Sequence, residues 1–183
     1  YVMFMNDISK STTYTQLYPL AMNTLNATFC GVNASNVQGI NLINQISGFS
    51  DAENSQTKAL AYTLIALDSN AYTVPDNSVL TRETLRQHLM KRQLENGSFQ
   101  MLDEKDNALE TTALALTALS GYSSDDNTQS ALKKGVEYLQ NMQSGNQRRS
   151  AFLDESCNTV SQIITALNSL KINVNDSRFI NNR

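Results

Sequence analysis

Tryptophan is missing from this 183-residue chain, histidine occurs once, proline and cysteine twice each, and glycine only seven times. Each shortage excludes something. Two cysteines, Cys30 and Cys157, cannot staple a disulfide-dense scaffold. The single histidine, His88, falls among Arg86, Gln87 and Lys91 and reads as a solvated residue of a surface helix, so a Ser-His-Asp or Cys-His system has no candidate base at a pocket. Charge is scarce as well, at 17% of residues against ~25% in an average soluble domain. With 14 basic and 17 acidic residues the net charge is -3, which excludes the clustered basic excess of a nucleic-acid binder. No run approaches the ~20 apolar residues of a membrane span. The longest, Ala59 to Leu67, covers nine positions and contains Thr63. A Gly-rich phosphate loop is missing too.

Uncharged polarity takes the place of charge: there are 21 Asn, alongside many Ser, Thr and Gln. The apolar fraction of 40% is enough for a core, and the length argues for a single domain over residues 1–183. Apolar residues recur at three and four rather than at two, which predicts an all-α chain. Two kinds of helix alternate. Ala59 to Leu67, Ala113 to Leu119, and Val160 with Ile163, Ile164, Ala166, Leu167 and Leu170 are apolar nearly all round, as buried helices are. The others are one-sided: Leu85 and Leu89 oppose Arg82, Glu83 and Arg86, and Leu132, Val136 and Leu139 oppose Lys133, Lys134 and Glu137.

This alternation repeats. Leu64-Ile65-Ala66-Leu67 returns as Leu116-Thr117-Ala118-Leu119 and as Ile164-Thr165-Ala166-Leu167, at spacings of 52 and 48. Gln45, Gln93 and Gln143, near the ends of the one-sided helices, lie 48 and 50 apart. Gly31, Gly48, Gly97, Gly121 and Gly145 fall where left-handed helix stops are wanted, and Thr81 and Asn127 where N-caps are. The expected architecture is an array of helical hairpins of about 50 residues, near 1–49, 50–99, 100–150 and 151–183, closing into a ring or stacking as a solenoid.

The motifs carry a resemblance. Gln93-x-x-x-Gly97-x-Phe99 resembles the QW-like motif of squalene cyclases and protein prenyltransferase β subunits. Leu109 to Leu119 is similar to the inner-helix motif of that superfamily, in the form seen in cobalamin carriers and in surface proteins of Gram-positive bacteria. Ser156 to Asn182 looks like the closing hairpin of those surface proteins. The resemblance covers nearly all of the chain and implies an α/α toroid, incomplete here, with Tyr1 to Lys10 as the remnant of an outer helix. It also implies an extracellular or cell-surface bacterial setting. The fold hosts enzymes, carriers and adhesive domains alike.

The chemistry of the enzymes is not carried over. Terpene cyclases use a DxDD acid, whereas Asp103-Glu104-Lys105-Asp106 and Asp125-Asp126 have other spacings and read as loop charge and N-caps. Prenyltransferases hold zinc with Asp, Cys and His; Asp154-x-x-Cys157 has the wrong spacing and no histidine follows, so neither metal nor cofactor is expected. Cys30-Gly31-Val32-Asn33 is similar to a thioester motif, but Asn is one methylene shorter than the Gln that reaches the sulfur. Both cysteines are expected as separate buried thiols beside apolar helices. The sequons at Asn26, Asn33, Asn96 and Asn175 are what chance supplies in so Asn-rich a chain.

What remains is the rim where the inner helices begin, with orphan N–H groups and the positive ends of helix dipoles. The repeat alignment puts Lys58, Glu110 and Asn158 there, flanked by Thr111, Thr112, Thr159 and Gln162, with Gln56 and Tyr14 joining. Helix capping is the competing explanation for these polar groups, and Pro19 cautions that the first helix starts late or kinks. The expectation is a non-catalytic recognition or structural module, not an enzyme. Its partner would be a small molecule, a surface protein or a glycan, without nucleic acid or membrane insertion. The alternatives are a cobalamin-like carrier domain and an isoprenoid-handling enzyme whose acid lies outside this stretch.

Overall fold

The computed structural model describes residues 16–100, 107–144, 156–176 and 178–179. Among these the chain is all-helical, with no strand and two isolated antiparallel bridges, Val37 to Ile40 and Gln93 to Phe99. Seven helices follow one another: α1 (Leu17–Phe29), α2 (Leu42–Ser47), α3 (Thr57–Asp68), α4 (Arg82–Lys91), α5 (Ala108–Leu119), α6 (Asp126–Ser144) and α7 (Cys157–Ser169), with a 3-10 turn at Ser120–Tyr122. The chain forms two compact units divided between His88 and Leu89, within α4.

In the first unit α1 packs on α3 and α2. Pro19 is the third residue of α1, where a missing N–H costs nothing, so the helix starts before it. Leu20, Ala21, Leu25 and Ala27 of α1 meet an α3 buried along Leu60, Ala61, Leu64 and Leu67. The buried hydroxyls of Thr24 and Thr63 donate to carbonyls one turn earlier, Leu20 and Ala59, so an apolar surround leaves them satisfied. Tyr72 locks the unit: its buried hydroxyl accepts the Ala34 N–H at 3.1 Å and shares a hydrogen bond with Thr28 at 2.8 Å.

The second unit is built round α5, which packs on α6 and α7. Leu132, Val136 and Leu139 of α6 are buried while Lys133, Lys134 and Glu137 are exposed, as the one-sided pattern requires. Gly135 lets the two helices approach, since a Cβ there would stand 2.6 Å from a Leu116 methyl. The expectation that α7 is buried all round fails: Ile163, Ala166 and Leu167 are buried, but Ile164 is 43% exposed. Of the described helices α7 packs chiefly on α5, which covers only one of its faces.

Helix ends show both the repeat and the limits of glycine as its marker. After α1, Gly31 N–H bonds Thr28 O and Val32 N–H bonds Ala27 O, with Gly31 at φ +72°. The same pair of hydrogen bonds closes α3 (Ala71 N–H to Asp68 O, Tyr72 N–H to Leu67 O) and α7 (Lys171 N–H to Asn168 O, Ile172 N–H to Leu167 O), with Ala71 and Lys171 at φ +47° and +59°. Leu67 and Leu167 are thus equivalent in backbone geometry as well as in sequence. Gly48 and Gly121 are not left-handed, Gly97 is left-handed (φ +88°) in a turn beyond α4, and Gly145 lies outside the described residues. Replacing the exposed Ala71 with glycine relieves the left-handed strain and is expected to raise stability by about 0.5–1 kcal/mol, after offsetting glycine's added chain entropy. A lower midpoint in urea for Ala71→Gly would contradict this.

Thr81 caps α4 as expected, its hydroxyl accepting the Thr84 N–H at 3.2 Å. Asn127 does not cap α6. Asp125 does, taking the Thr128 N–H at 2.8 Å, so the helix begins at Asp126. Nor are the cysteines buried: Cys30 follows the last turn of α1, Cys157 opens α7, and both are free and exposed. Both sit at helix ends, beyond the packed middle of the helix.

Candidate functional site

Most described helices that start with a capped N–H use a side chain for it: Asn41 for α2, Asn107 for α5 and Ser156 for α7. The helices α1 and α3 do not. Their N-cap residues, Gln16 and Gln56, make no side-chain cap bond, because a glutamine side chain is too long for the reach of an N-cap. The two starts lie together and line one pocket of about 230 Å³.

Its apolar wall comes from Leu17, Phe49 and Ala59. The turn that leads into α3, anchored by the buried Ala52, supplies Asp51, Asn54 and Ser55 to the lining. There Asn54 donates to an Asp51 carboxylate oxygen at 2.6 Å, and the Ser55 hydroxyl donates to the Asp51 carbonyl at 3.0 Å. Tyr18, 42% exposed, also lines the pocket, and its ring meets Tyr62 of α3 edge to face with centroids 5.7 Å apart. The residues lining the pocket thus include a tyrosine whose ring meets a second ring, two glutamines, and an Asn–Asp pair. Among the described residues no histidine or cysteine lines it, and no three His, Cys, Asp or Glu side chains anywhere gather as a metal site would need. The arrangement can bind and orient, and it offers no nucleophile paired with a base.

A second, more open cavity of about 360 Å³ lies in the other unit. Leu132 and Val136 of α6 and Leu170 and Ile172 beyond α7 form its apolar floor, with Lys133 and Arg178 at its edge. Arg178 is engaged with Asp176, donating to both carboxylate oxygens at 2.9 and 3.0 Å. That pairing holds the Asp176 carboxyl at about 2, below its ordinary 3.8, and pushes the Arg178 guanidinium further up. Because the folded value is depressed, the bond is fully in place above the ordinary value and is lost as pH falls toward about 2. A carboxyl signal of Asp176 that titrates near 4 in carbon-detected NMR would contradict it.

Of the residues expected at a ligand rim, Gln56 lines the first pocket. Lys58, half-buried, is in the same first turn of α3, and Tyr14 lies outside the described residues. The others belong to the second unit. Lys58 and Asn158 are each two residues past their caps, but Glu110 is three past Asn107, so the alignment slips by one at α5. Thr112 is committed to structure, its buried hydroxyl accepting the Phe99 N–H at 3.0 Å. Thr159 does the same work at the start of α7, where its N–H and hydroxyl meet the Ser156 hydroxyl. Thr111 is buried and its hydroxyl has no partner among the described residues; Asn158 is exposed, and Glu110 and Gln162 are half-buried. The acidic stretch 103–106 and Asp154 also lie outside the described residues.

Sequence reasoning missed Gln16, Tyr18, Phe49, Asp51, Asn54 and Ser55. A signal existed in the polar run Asp51 to Gln56 immediately before an apolar helix, and in Phe49 following Gly48 as Phe99 follows Gly97 and Ser98. Comparison of the chain with protein-family models, curated proteins and solved structures finds no match.

Proposed function

We propose that this chain is a non-catalytic recognition or structural module of a secreted or cell-surface bacterial protein, built from the hairpin repeats of an α/α toroid. The observation that carries the reading is the pocket at the starts of α1 and α3, whose polar lining is not consumed in capping those helices. The toroid reading draws on the shared stop at Leu67 and Leu167. It also draws on Gln93, whose side-chain N–H groups tie the carbonyl of Gly97 to that of Ala131 in the next one-sided helix. Low charge and abundant Asn, Ser and Thr suit an exported surface.

A test uses fluorescently labelled protein and a bacterial cell-wall preparation as the probe. Saturable retention is expected, weakened at least about tenfold, or 1.4 kcal/mol, by Gln56→Ala. Glu110→Ala, in the other unit, should leave retention near wild type and change stability by under about 1 kcal/mol, the worth of a half-buried acid in the first turn of a helix. Retention indifferent to Gln56→Ala would remove the pocket as its cause. Conversion of farnesyl diphosphate or squalene to a product would overturn the non-catalytic reading.

A further inference from the structure

We propose that the pocket at the starts of α1 and α3 takes one ring of a neutral saccharide, stacked on Tyr18 and hydrogen-bonded through its hydroxyls to Gln16, Gln56 and the Asp51–Asn54 pair. This deepens the recognition reading and rests on it.

The charges at the site offset one another, so it favours an ion of neither sign. Two helix starts present partial positive charge to the pocket, which disfavours a cation. The Asp51 carboxylate lines the same space and disfavours an anion. A ligand with dipoles and no net charge satisfies both. Its polar groups must donate and accept side by side, because the lining offers amide N–H, amide C=O and carboxylate oxygen together. Vicinal hydroxyls do so, and planar amides and carboxylates match them two at a time.

The remaining wall is aromatic. Tyr18 is partly exposed, and its edge-to-face contact with Tyr62 restrains the ring before a ligand arrives. A face of axial C–H groups, as on a pyranose, is attracted to the negative face of such a ring. Size agrees. A pocket of about 230 Å³ is smaller than the ~300–1,000 Å³ of pockets for drug-sized ligands, which suits one ring rather than a chain buried end to end. The Asn54 contact at 2.6 Å orders the carboxylate and leaves its second oxygen to a hydroxyl.

The test titrates isotopically labelled protein with glucose, galactose, N-acetylglucosamine and N-acetylgalactosamine, following backbone amide shifts. A ligand of about a dozen non-hydrogen atoms on a partly open site should bind with Kd on the order of 1 mM. At least one sugar is expected to shift the amides of Tyr18, Asn54, Ser55 and Gln56 saturably. Tyr18→Ala and Gln56→Ala should each weaken it at least about tenfold, while Tyr18→Phe keeps it, because the ring and not the hydroxyl stacks. The proposal is overturned if no sugar moves these amides, if inorganic phosphate or acetate moves them instead, or if the alanine variants bind as wild type does. Cell-wall retention that depends on Gln56 yet is not displaced by any of these sugars would sink the saccharide alone and leave the recognition reading standing.

Discussion

Gly97→Ala is expected to destabilise the second unit by about 2–5 kcal/mol. Two independent effects add. The backbone at Gly97 is left-handed, at φ +88°, where an L side chain is strained. A Cβ built there would also stand 2.3 Å from the Lys134 carbonyl oxygen and 2.9 Å from its carbon. Those are backbone atoms of α6, and no rotamer change moves them aside. Relief needs the turn and α6 to move apart, which would strain the bond from the Gln93 side chain to the Ala131 carbonyl at 2.8 Å. Urea unfolding followed by circular dichroism measures the loss. A change under about 1 kcal/mol would show that the loop does not press on α6.

Tyr72 gives the second large effect, in the other unit. Tyr72→Phe removes the acceptor for the buried Ala34 N–H and the partner of Thr28, and is expected to cost about 1–3 kcal/mol. Tyr72→Ala also empties the space of a ring that is 5% exposed, raising the cost to about 3–5 kcal/mol. The difference between the two variants separates hydroxyl from ring. A Tyr72→Phe protein within about 0.5 kcal/mol of wild type would mean that the Ala34 N–H has found another partner.

The helices were legible because burial leaves a period in the sequence. The alternation of Leu85 and Leu89 with Glu83, or of Leu132 and Val136 with Lys133, is the direct imprint of one buried face. Equivalence of Leu67 and Leu167 was legible for the same reason. Helix stops were not, because a stop is set by a pair of backbone hydrogen bonds that Ala71 and Lys171 can make as well as Gly31 does, at a modest strain. The α6 cap was ambiguous because Asp125, Asp126 and Asn127 are all good caps; the choice falls on the residue that leaves Ala131, Leu132 and Val136 facing inward. The pocket was half legible. Gln56 belongs to a helix start, which sequence marks, but Phe49, Asp51 and Tyr18 meet it only after the turn before α3 folds onto the start of α1.

The two thiols have a consequence of their own. Cys30 and Cys157 are both free and exposed, one in each compact unit. A protein with one accessible thiol stops at a dimer on oxidation, since the linked pair has no reactive end left. This chain is a divalent monomer: each copy joined through one thiol still presents the other, so growth continues. Mild oxidation should therefore yield a ladder of linked copies on a non-reducing gel, and Cys30→Ser or Cys157→Ser alone should cut that ladder to its first rung.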